Sequence, residues 1–173
     1  MEMDNRDELG KFYQEHYKTG CGAEIGVHVG DFSKKIAENW KGKILCVDIW
    51  LNEGVMEQAA DNLKGLNCDL IKKSSVDAAK DFIDECLDWV YIDSDHGYGF
   101  VKEDIESWFP KVRKGGVVSG HDYIKARETL RPGDGVPEVW MAVDEFCEKN
   151  NYKVELVHDH VNHADFASWW FIK

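Results

Sequence analysis

The stretch Ala23-Glu-Ile-Gly-Val-His-Val-Gly30 decides the fold of this 173-residue chain. It has the pattern of a short apolar strand that runs into a glycine turn, and residues 31–40 after it are predicted to form a helix. Glycine lets a backbone approach a ligand closely, and the first N–H groups of a helix offer donors and a partial positive charge. The stretch therefore predicts a nucleotide-like ligand on the turn. Its spacing, Glu-x-Gly-x-x-x-Gly, differs from the Gly-x-Gly-x-x-Gly that cradles a pyrophosphate, which argues against a nicotinamide or flavin enzyme.

The composition favours one domain spanning residues 1–173. The net charge of −12, from 33 acidic and 21 basic residues, is spread along the chain and would repel a phosphate-rich polymer, so nucleic acid is not an expected partner. No run approaches the roughly 20 apolar residues of a membrane span, and the N terminus lacks the apolar segment of a signal peptide. Five cysteines without a Cys-x-x-Cys pair favour reduced thiols. These features predict a cytoplasmic protein without a membrane partner.

Strands and helices alternate along most of the chain. Apolar runs bounded by turn residues predict strands, and periodic apolar stripes predict helices. In chain order the predicted elements are a helix at 5–18, the strand and turn of 23–30, a helix at 31–40, a strand at 43–48, a helix at 54–64, a strand at 68–72, a helix at 76–82, a strand at 87–93, a helix at 98–110, a chain break at Gly115-Gly116, a strand at 117–119, a helix at 139–147 and a hairpin of strands at 152–157 and 166–172. This alternation implies a mostly parallel sheet with helices on both faces.

Polar residues lie where the predicted parallel strands end. They are Glu24 with Gly26, Asp48, Ser74 with Ser75, Asp93, and His121 with Asp122. Parallel sheets bind ligands beyond the carboxyl ends of their strands. Five successive strands thus bring their polar residues to one edge of the sheet, and the sequence predicts a single binding site there.

Four motifs in this order resemble a known family. They are Glu24-x-Gly26-x-x-x-Gly30, the strand-ending Asp48, Asp93-Ser-Asp-His96, and Gly115-Gly116 leading to Gly120-His-Asp-Tyr123. Together they resemble class I S-adenosylmethionine-dependent methyltransferases, in the small-molecule branch that is methyltransferase domain 24-like. The resemblance covers roughly residues 20–172. It implies a Rossmann-like α/β sheet, mostly parallel with a C-terminal antiparallel hairpin.

The same resemblance implies an activity. The enzyme would transfer a methyl group from S-adenosylmethionine to a small-molecule acceptor, at a hydroxyl oxygen of a sugar or natural product in preference to a nitrogen. The alternative is a catalytically inactive relative that binds S-adenosylmethionine, or nothing, and serves as a partner protein. The intact order of the motifs favours the enzyme.

Six cosubstrate-binding residues follow from the resemblance, position by position. Gly26 and Gly30 would form the turn against the amino-acid part of S-adenosylmethionine, and Glu24 would accept a hydrogen bond near its ammonium group. Asp48 would hold both ribose hydroxyls, because a carboxylate only accepts hydrogen bonds. Trp50 would lie against the cosubstrate and Ser75 would meet the adenine edge. The residues alone leave other interpretations open: a plain tight turn, a solvated strand end at Asp48, a core aromatic at Trp50 and a helix cap at Ser75.

The reactive end of the site is expected around Asp93, which is also counted as a cosubstrate-binding residue. With His121 and Asp122 it would supply oxygen and nitrogen ligands for Mg²⁺ or another divalent metal. Some relatives bind such an ion there through acidic residues, but here His121 stands before Asp122, a departure from that pattern.

Without a metal, His96 or His121 would act as the general base beside Asp93, because an imidazole titrates in the useful range. Either histidine could instead be a hydrogen-bonded structural side chain. Three further histidines near the C terminus are interpreted as a solvated hairpin turn rather than a metal cluster: His158, His160 and His163.

The acceptor pocket is expected to need further walls, because the sequence predicts no separate cap domain. They would come from residues 1–20, which contain the predicted N-terminal helix, from the loop of residues 124–136, or from a second subunit in a homodimer. Arg127 and Arg131 in that loop would grip an anionic substrate or remain solvated.

Overall fold

A seven-stranded sheet forms the centre of the computed structural model, which describes residues 5–18, 20–125, 138–157 and 167–173. The strands are β1 (Cys21–Ile25), β2 (Lys43–Asp48), β3 (Cys68–Lys72), β4 (Leu87–Ile92), β5 (Val112–Tyr123), β6 (Glu155–Val157) and β7 (Ala167–Ile172). Their order across the sheet is β3-β2-β1-β4-β5-β7-β6. The first five strands pair in parallel, and β7 runs antiparallel to both β5 and β6.

Helices cover both faces of this sheet. After a 3₁₀ turn at Arg6–Glu8 they are α1 (Leu9–Tyr17), α2 (Asp31–Asn39), α3 (Val55–Asn62), α4 (Ser75–Ala79), α5 (Tyr98–Trp108), which continues into a 3₁₀ turn at Phe109–Lys111, and α6 (Val139–Asn150). Buried residues of α1, α2 and α3 form one apolar core, and those of α4, α5 and α6 form the other. The predicted Rossmann-like class, with its C-terminal antiparallel hairpin, is confirmed. None of the described helices has the length and apolar character needed to cross a membrane.

β4 shows why the central strands are continuous apolar runs. All six of its residues are buried. Trp89 and Tyr91 point into the core under α1 and α2, while Val90 and Ile92 belong to the core on the other face. A strand buried on both faces has no polar side to present, so its sequence does not alternate. The ring of Tyr13 from α1 stacks on Trp89 with 4.4 Å between centroids, which fixes the N-terminal helix on the sheet.

The fifth strand is longer than predicted. Gly115 and Gly116 were expected to break the chain before a strand at 117–119, and that expectation is wrong, because β5 already begins at Val112. The register against β4 shifts between Leu87 and Trp89, which marks an irregularity at the glycines. The N–H of Gly115 donates to the carbonyl of Lys173, and the N–H of Lys173 donates to Gly116, so the C terminus holds this irregular part in the sheet.

Candidate active site

A cavity of about 920 Å³ opens at the carboxyl ends of the parallel strands. Its walls come from the turn after β1, the start of α2, the ends of β2 and β4, the turn between β3 and α4, and the first turns of α5. Seven residues singled out by the sequence line it: Glu24, Gly26, Asp48, Ser74, Ser75, Asp93 and His96. The volume lies in the range of small-molecule and cofactor sites. The structure therefore brings most of the predicted site residues to one space.

The turn after β1 depends on its two glycines. Gly26 has a φ of +87°, and a Cβ atom there would lie 2.1 Å from the carbonyl oxygen of Asp93. Gly30, which precedes α2, has a φ of +82°. Glycine reaches these angles without steric cost. The N–H of Gly26 donates to Val47 at 2.9 Å and that of Asp93 donates to Ile25 at 2.7 Å, so the ends of β1, β2 and β4 meet at the turn.

Glu24 is a buried carboxyl group in the wall of the cavity. Its side chain accepts a hydrogen bond from the hydroxyl of Ser33, which in turn accepts one from the thiol of Cys46 at 3.4 Å. Burial raises the pKa of Glu24 well above its ordinary value, and the bond from Ser33 offsets only part of that rise. Ionisation at this position requires a nearby cation, because a buried charge needs a partner.

Asp48 ties the turn after β1 to the end of β2. Its Oδ2 accepts backbone N–H bonds from Val27 and His28, both at 2.8 Å, and its Oδ1 accepts one from Trp50 at 2.7 Å. A carboxylate accepts about four hydrogen bonds. Asp48 therefore retains room for about one more, where the sequence had suggested bonds to two ribose hydroxyls at once.

Trp50 and Ser75 occupy different surroundings. Trp50 is buried, is not among the described residues that line the cavity, and donates its indole N–H to the carbonyl of His28 at 2.7 Å. It thus has the position of a core aromatic. Ser75 lines the cavity and accepts a hydrogen bond from the indole of Trp108 at 2.9 Å. The helix cap is Ser74, whose hydroxyl accepts from the N–H of Asp77.

Ile49 is a lining residue that the sequence argument missed. It follows Asp48 directly, lines the cavity and is 48% exposed. A large apolar side chain left open to solvent beside a cavity is a surface that an apolar or aromatic part of a ligand can cover. Its position after a strand-ending acid was the available signal.

The reactive end of the site is a cluster of two histidines and two carboxylates. The Nε2 atom of His96 lies 3.0 Å from Oδ2 of Asp122 and 3.8 Å from Oδ1 of Asp93. The Nδ1 atom of His121 lies 3.2 Å from the same oxygen of Asp122. His121 and Asp122 are buried, whereas the side chain of His96 is 45% exposed. His96 is therefore the histidine that faces the cavity.

Hydrogen bonds set the charge of this cluster. The bond to Asp122, followed by that to Asp93, raises the pKa of His96 to about 10. Burial by itself would raise the pKa of Asp122, but the bonds with His121 and His96 outweigh it and hold that pKa well below its ordinary value. At neutral pH the cluster thus contains an imidazolium paired with carboxylates.

Asp122 reaches this cluster because the backbone of β5 is irregular there. Asp122 has a φ of +58°, a left-handed conformation that is uncommon for a residue other than glycine. The register between β5 and β7 shifts between Gly120 and Tyr123. Such irregularities redirect side chains, and they occur often beside active sites.

The sequence predicted Asp93, His121 and Asp122 as metal ligands, whereas the structure groups the two carboxylates with His96. Donor atoms of Asp93, His96 and Asp122 fall within 4.8 Å of one another, and Nδ1 of His121 lies 4.0 Å from Asp93. A protonated histidine cannot ligate a metal, since the ligand is the neutral imidazole. With His96 protonated, these residues form an ion-pair cluster, and a cation would have to displace that proton.

The loop that carries His96 is fixed to the start of α6. The N–H of Glu138 donates to the carbonyl of His96 at 2.8 Å, and its carboxylate accepts from the N–H of Tyr98 at 3.1 Å. Ser94 donates to the buried carboxyl of Asp104, whose pKa is raised by burial. These bonds hold the imidazole of His96 at the cavity wall.

Several predicted residues lie outside the described parts of the chain. Most of the predicted substrate loop of 124–136 is among them. The individual side chains are Arg127, Arg131, His158, His160 and His163.

Comparison with known proteins links this geometry to one family. Residues 23–123 match a family model described as a methyltransferase domain. Among curated protein sequences, none matches the chain.

Solved structures share the fold at low identity. A Clostridium thermocellum protein described as an rRNA-methylase has a TM-score of 0.71 at 14% identity, with full coverage of both chains. A Staphylococcus aureus protein described as a caffeoyl-CoA O-methyltransferase has a TM-score of 0.72 at 16% identity, over 96% of this chain and 82% of the other. Aeropyrum pernix fibrillarin, solved with bound S-adenosyl-L-methionine, has a TM-score of 0.65 at 16% identity, over 88% and 66%.

S-adenosylmethionine is the cosubstrate expected for this fold. Glu24 offers a buried carboxyl group for a cation, and Ile49 offers an open apolar surface. The methyltransferase-domain match covers more than half of the chain. The protein therefore belongs to the class I S-adenosylmethionine-dependent methyltransferases.

Proposed function

We propose that this enzyme transfers a methyl group from S-adenosylmethionine to a hydroxyl oxygen of a small molecule. One observation carries the proposal: the glycine turn of β1 and His96, which pairs with Asp122, border the same cavity. A donor on the turn and an acceptor beside His96 would thus share one enclosed space. Holding two reactants in such a geometry supplies much of the rate of an in-line displacement.

The cosubstrate would lie along the edge of the sheet. Glu24 and Gly26 would hold its amino-acid part, Asp48 one ribose hydroxyl, and Ile49 and Ser75 its adenine. When bound, S-adenosylmethionine supplies a methyl group on a sulfonium and becomes a thioether. The ammonium group of the ligand would favour the ionised form of Glu24, whose pKa is raised by burial in its absence.

His96 is the proposed base at the reactive end. As the acceptor oxygen bonds to the methyl carbon, the carbon–sulfur bond breaks with its electron pair going to sulfur, and the hydroxyl proton passes to Nδ1 of His96, while the N–H of Nε2 donates to Asp122. The carboxylates of Asp122 and Asp93 stabilise the resulting imidazolium. A pKa near 10 for His96 is close to that of a phenol, so an acidic hydroxyl group suits this base best. His121, buried behind Asp122, would position that carboxylate.

A divalent metal is the second candidate for this step, with Asp93, Asp122 and a histidine as ligands. The close approach of their donor atoms favours it. A metal would favour the deprotonated acceptor oxygen. Under this mechanism a chelator abolishes activity and Mg²⁺ restores it, whereas full activity in chelator eliminates the metal.

The net charge of the chain favours a small-molecule acceptor over a nucleic acid. The net charge of −12 disfavours a nucleic acid, although one structural neighbour is described as an rRNA-methylase. The cytoplasmic location, the single-domain organisation and the homodimer stay predictions.

A two-stage experiment tests the proposal. Calorimetry with S-adenosylhomocysteine and with NAD comes first, and binding of NAD alone would refute it. A panel of phenols, sugars, amines and RNA is then screened for methyl transfer through release of homocysteine from the product. We expect turnover with a hydroxyl compound, and turnover with RNA alone would contradict the small-molecule assignment.

A further inference from the structure

The N-terminal 3₁₀ turn at Arg6–Glu8 reaches the edge of the cavity. The side chain of Asn5 caps the turn by accepting a hydrogen bond from the N–H of Asp7 at 3.0 Å. The carboxylate of Asp7 accepts two bonds from the ammonium of Lys35 on α2, at 2.8 and 2.7 Å. The turn is thereby fastened to the helix that follows the glycine turn, and its own side chains have defined positions.

Arg6 uses this position to approach two lining residues. Its guanidinium carbon lies 5.0 Å from the centre of the Phe32 ring, and its Nη1 lies 3.8 Å from Oδ2 of Asp93. Phe32 and Asp93 both line the cavity. The side chain of Arg6 is 27% exposed. The guanidinium group thus stands between the first turn of α2 and the end of β4.

This edge is where the amino-acid part of the cosubstrate would lie. Adenine and ribose are expected near Ser75 and Asp48, on the side of β3 and β2. The amino-acid part then falls towards β1 and β4, beside Glu24. Glu24 can pair with the ammonium group of that part. The α-carboxylate of the cosubstrate also needs a partner, because a desolvated carboxylate without hydrogen-bond donors is costly.

Three other basic residues line the cavity, and each lies near a carboxylate. Lys73 pairs with Asp81 on the β3 side, and His96 pairs with Asp122. His28 lies beside Asp48, which accepts its backbone N–H. Arg6 borders the expected amino-acid end, and a guanidinium group carries five N–H donors in a fork that matches a carboxylate.

We propose that Arg6 binds the α-carboxylate of the S-adenosylmethionine amino-acid part. The inference rests on the proposed binding of this cosubstrate in the cavity. Arg6 and Glu24 then form a complementary pair, one for each charge of the amino-acid group. The five donors of Arg6 allow it to keep its contact with Asp93 while it binds the ligand.

The test compares ligands that differ in the proposed contact. Calorimetry is performed on the wild type and on Arg6→Met with S-adenosylhomocysteine, with 5′-methylthioadenosine, which lacks the amino-acid part, and with decarboxylated S-adenosylmethionine. We expect Arg6→Met to weaken S-adenosylhomocysteine binding by about 10- to 100-fold, the usual loss for a charge-assisted hydrogen bond. Binding of the other two ligands should stay within about 2-fold, because they lack the carboxylate.

Two further variants complete the design. Lys11→Met removes the same charge from an exposed position on α1 and should leave all three affinities unchanged. Arg6→Lys should recover part of the loss, since an ammonium group keeps the charge but not the fork.

Unchanged affinity of Arg6→Met for S-adenosylhomocysteine would overturn the inference, and so would an equal loss for all three ligands, which indicates a structural role. A wild type that binds none of them would refute the proposed function itself. The two failures are therefore distinguishable.

Discussion

Glu24 is a buried carboxyl group whose ionisation the fold opposes. Burial raises its pKa above the ordinary 4.5, against a smaller opposing effect of Ser33. Between the ordinary pKa and the raised one, the folded protein keeps a proton that the unfolded chain has released, so this group makes stability fall as pH rises.

Glu24→Gln should remove this loss of stability with rising pH. We expect the free energy of unfolding of the variant to exceed that of the wild type at pH 7, because the amide carries no proton to lose. The difference should vanish near pH 4, where the carboxyl group is protonated in both states. Urea unfolding of both proteins from pH 4 to pH 8 measures it. A gap that does not change with pH would contradict the assignment.

His96 should give methyl transfer an alkaline pH dependence. A base acts when it is deprotonated, and the pKa of His96 is raised to about 10, chiefly by Asp122. We expect the rate to rise with pH towards that value. Asp122→Asn removes the main cause of the raised pKa of His96. The pH at which the rate rises should therefore move towards the ordinary pKa of histidine, 6.5. The move should be partial, because the bond to Asp93 remains.

Rates from pH 6 to pH 10.5, with S-adenosylmethionine and an accepted substrate at saturation, provide the measurement. His121→Asn tests the positioning role of His121 in the same way, because His121 lies behind Asp122. An identical pH profile for the wild type and Asp122→Asn would rule out His96 as the titrating base.

At the scale of elements, Asp48 joins two strand ends through three backbone bonds. Asp48→Ala leaves these N–H groups without their acceptor, and we expect a loss of about 2 kcal/mol or more in the free energy of unfolding. Asp48→Asn keeps one carbonyl oxygen as acceptor and should fall between the wild type and the alanine variant. Both changes should weaken binding of S-adenosylhomocysteine.

Urea unfolding and calorimetry on the three proteins separate the two effects. An alanine variant as stable as the wild type would mean that the bonds of Asp48 do not hold the turn. Full ligand affinity in Asp48→Asn would mean that the ribose contact is wrongly assigned.

Elements with a simple burial pattern could be predicted from the sequence. β2 and β4 are buried on both faces, so their apolar runs gave their positions closely. Residues 117–119 of β5 were located, but its beginning at Val112 was missed. Gly115 has a φ of +77° and is held by pairing with Lys173, a contact that no local pattern encodes.

The residues of the candidate site likewise divide into those that the sequence identified and those that it missed. Strand ends identified Asp48 and Asp93, because topology alone brings the ends of parallel strands together, and His96 came from the motif that begins at Asp93. The hydrogen bonds of Asp48 depend on the backbone at His28 and Trp50, both with positive φ. Periodicity carries no information on such angles. Arg6 escaped notice because its approach to Asp93 depends on how the N-terminal turn packs on α2.

Across the whole molecule, the cavity lies where the order of the strands reverses. From β1 the chain moves outward to β2 and β3, and then returns to place β4 on the other side of β1. The helices after these strands leave a crevice at that point, since α2 and α3 cover one face and α4 and α5 the other. A ligand in the crevice contacts both halves of the sheet.

This position makes ligand binding and global stability interdependent. A ligand that binds only the folded state at about 100 times its dissociation constant stabilises the protein by about 2.7 kcal/mol. For a chain of this size we expect S-adenosylhomocysteine to raise Tm by about 5–10 °C. NAD at the same concentration should leave Tm unchanged, because the turn of β1 lacks the pyrophosphate spacing. Thermal unfolding followed by circular dichroism tests both expectations. An equal rise with NAD would mean that the crevice recognises an adenosine group rather than the whole cosubstrate, because adenosine is the part that the two ligands share.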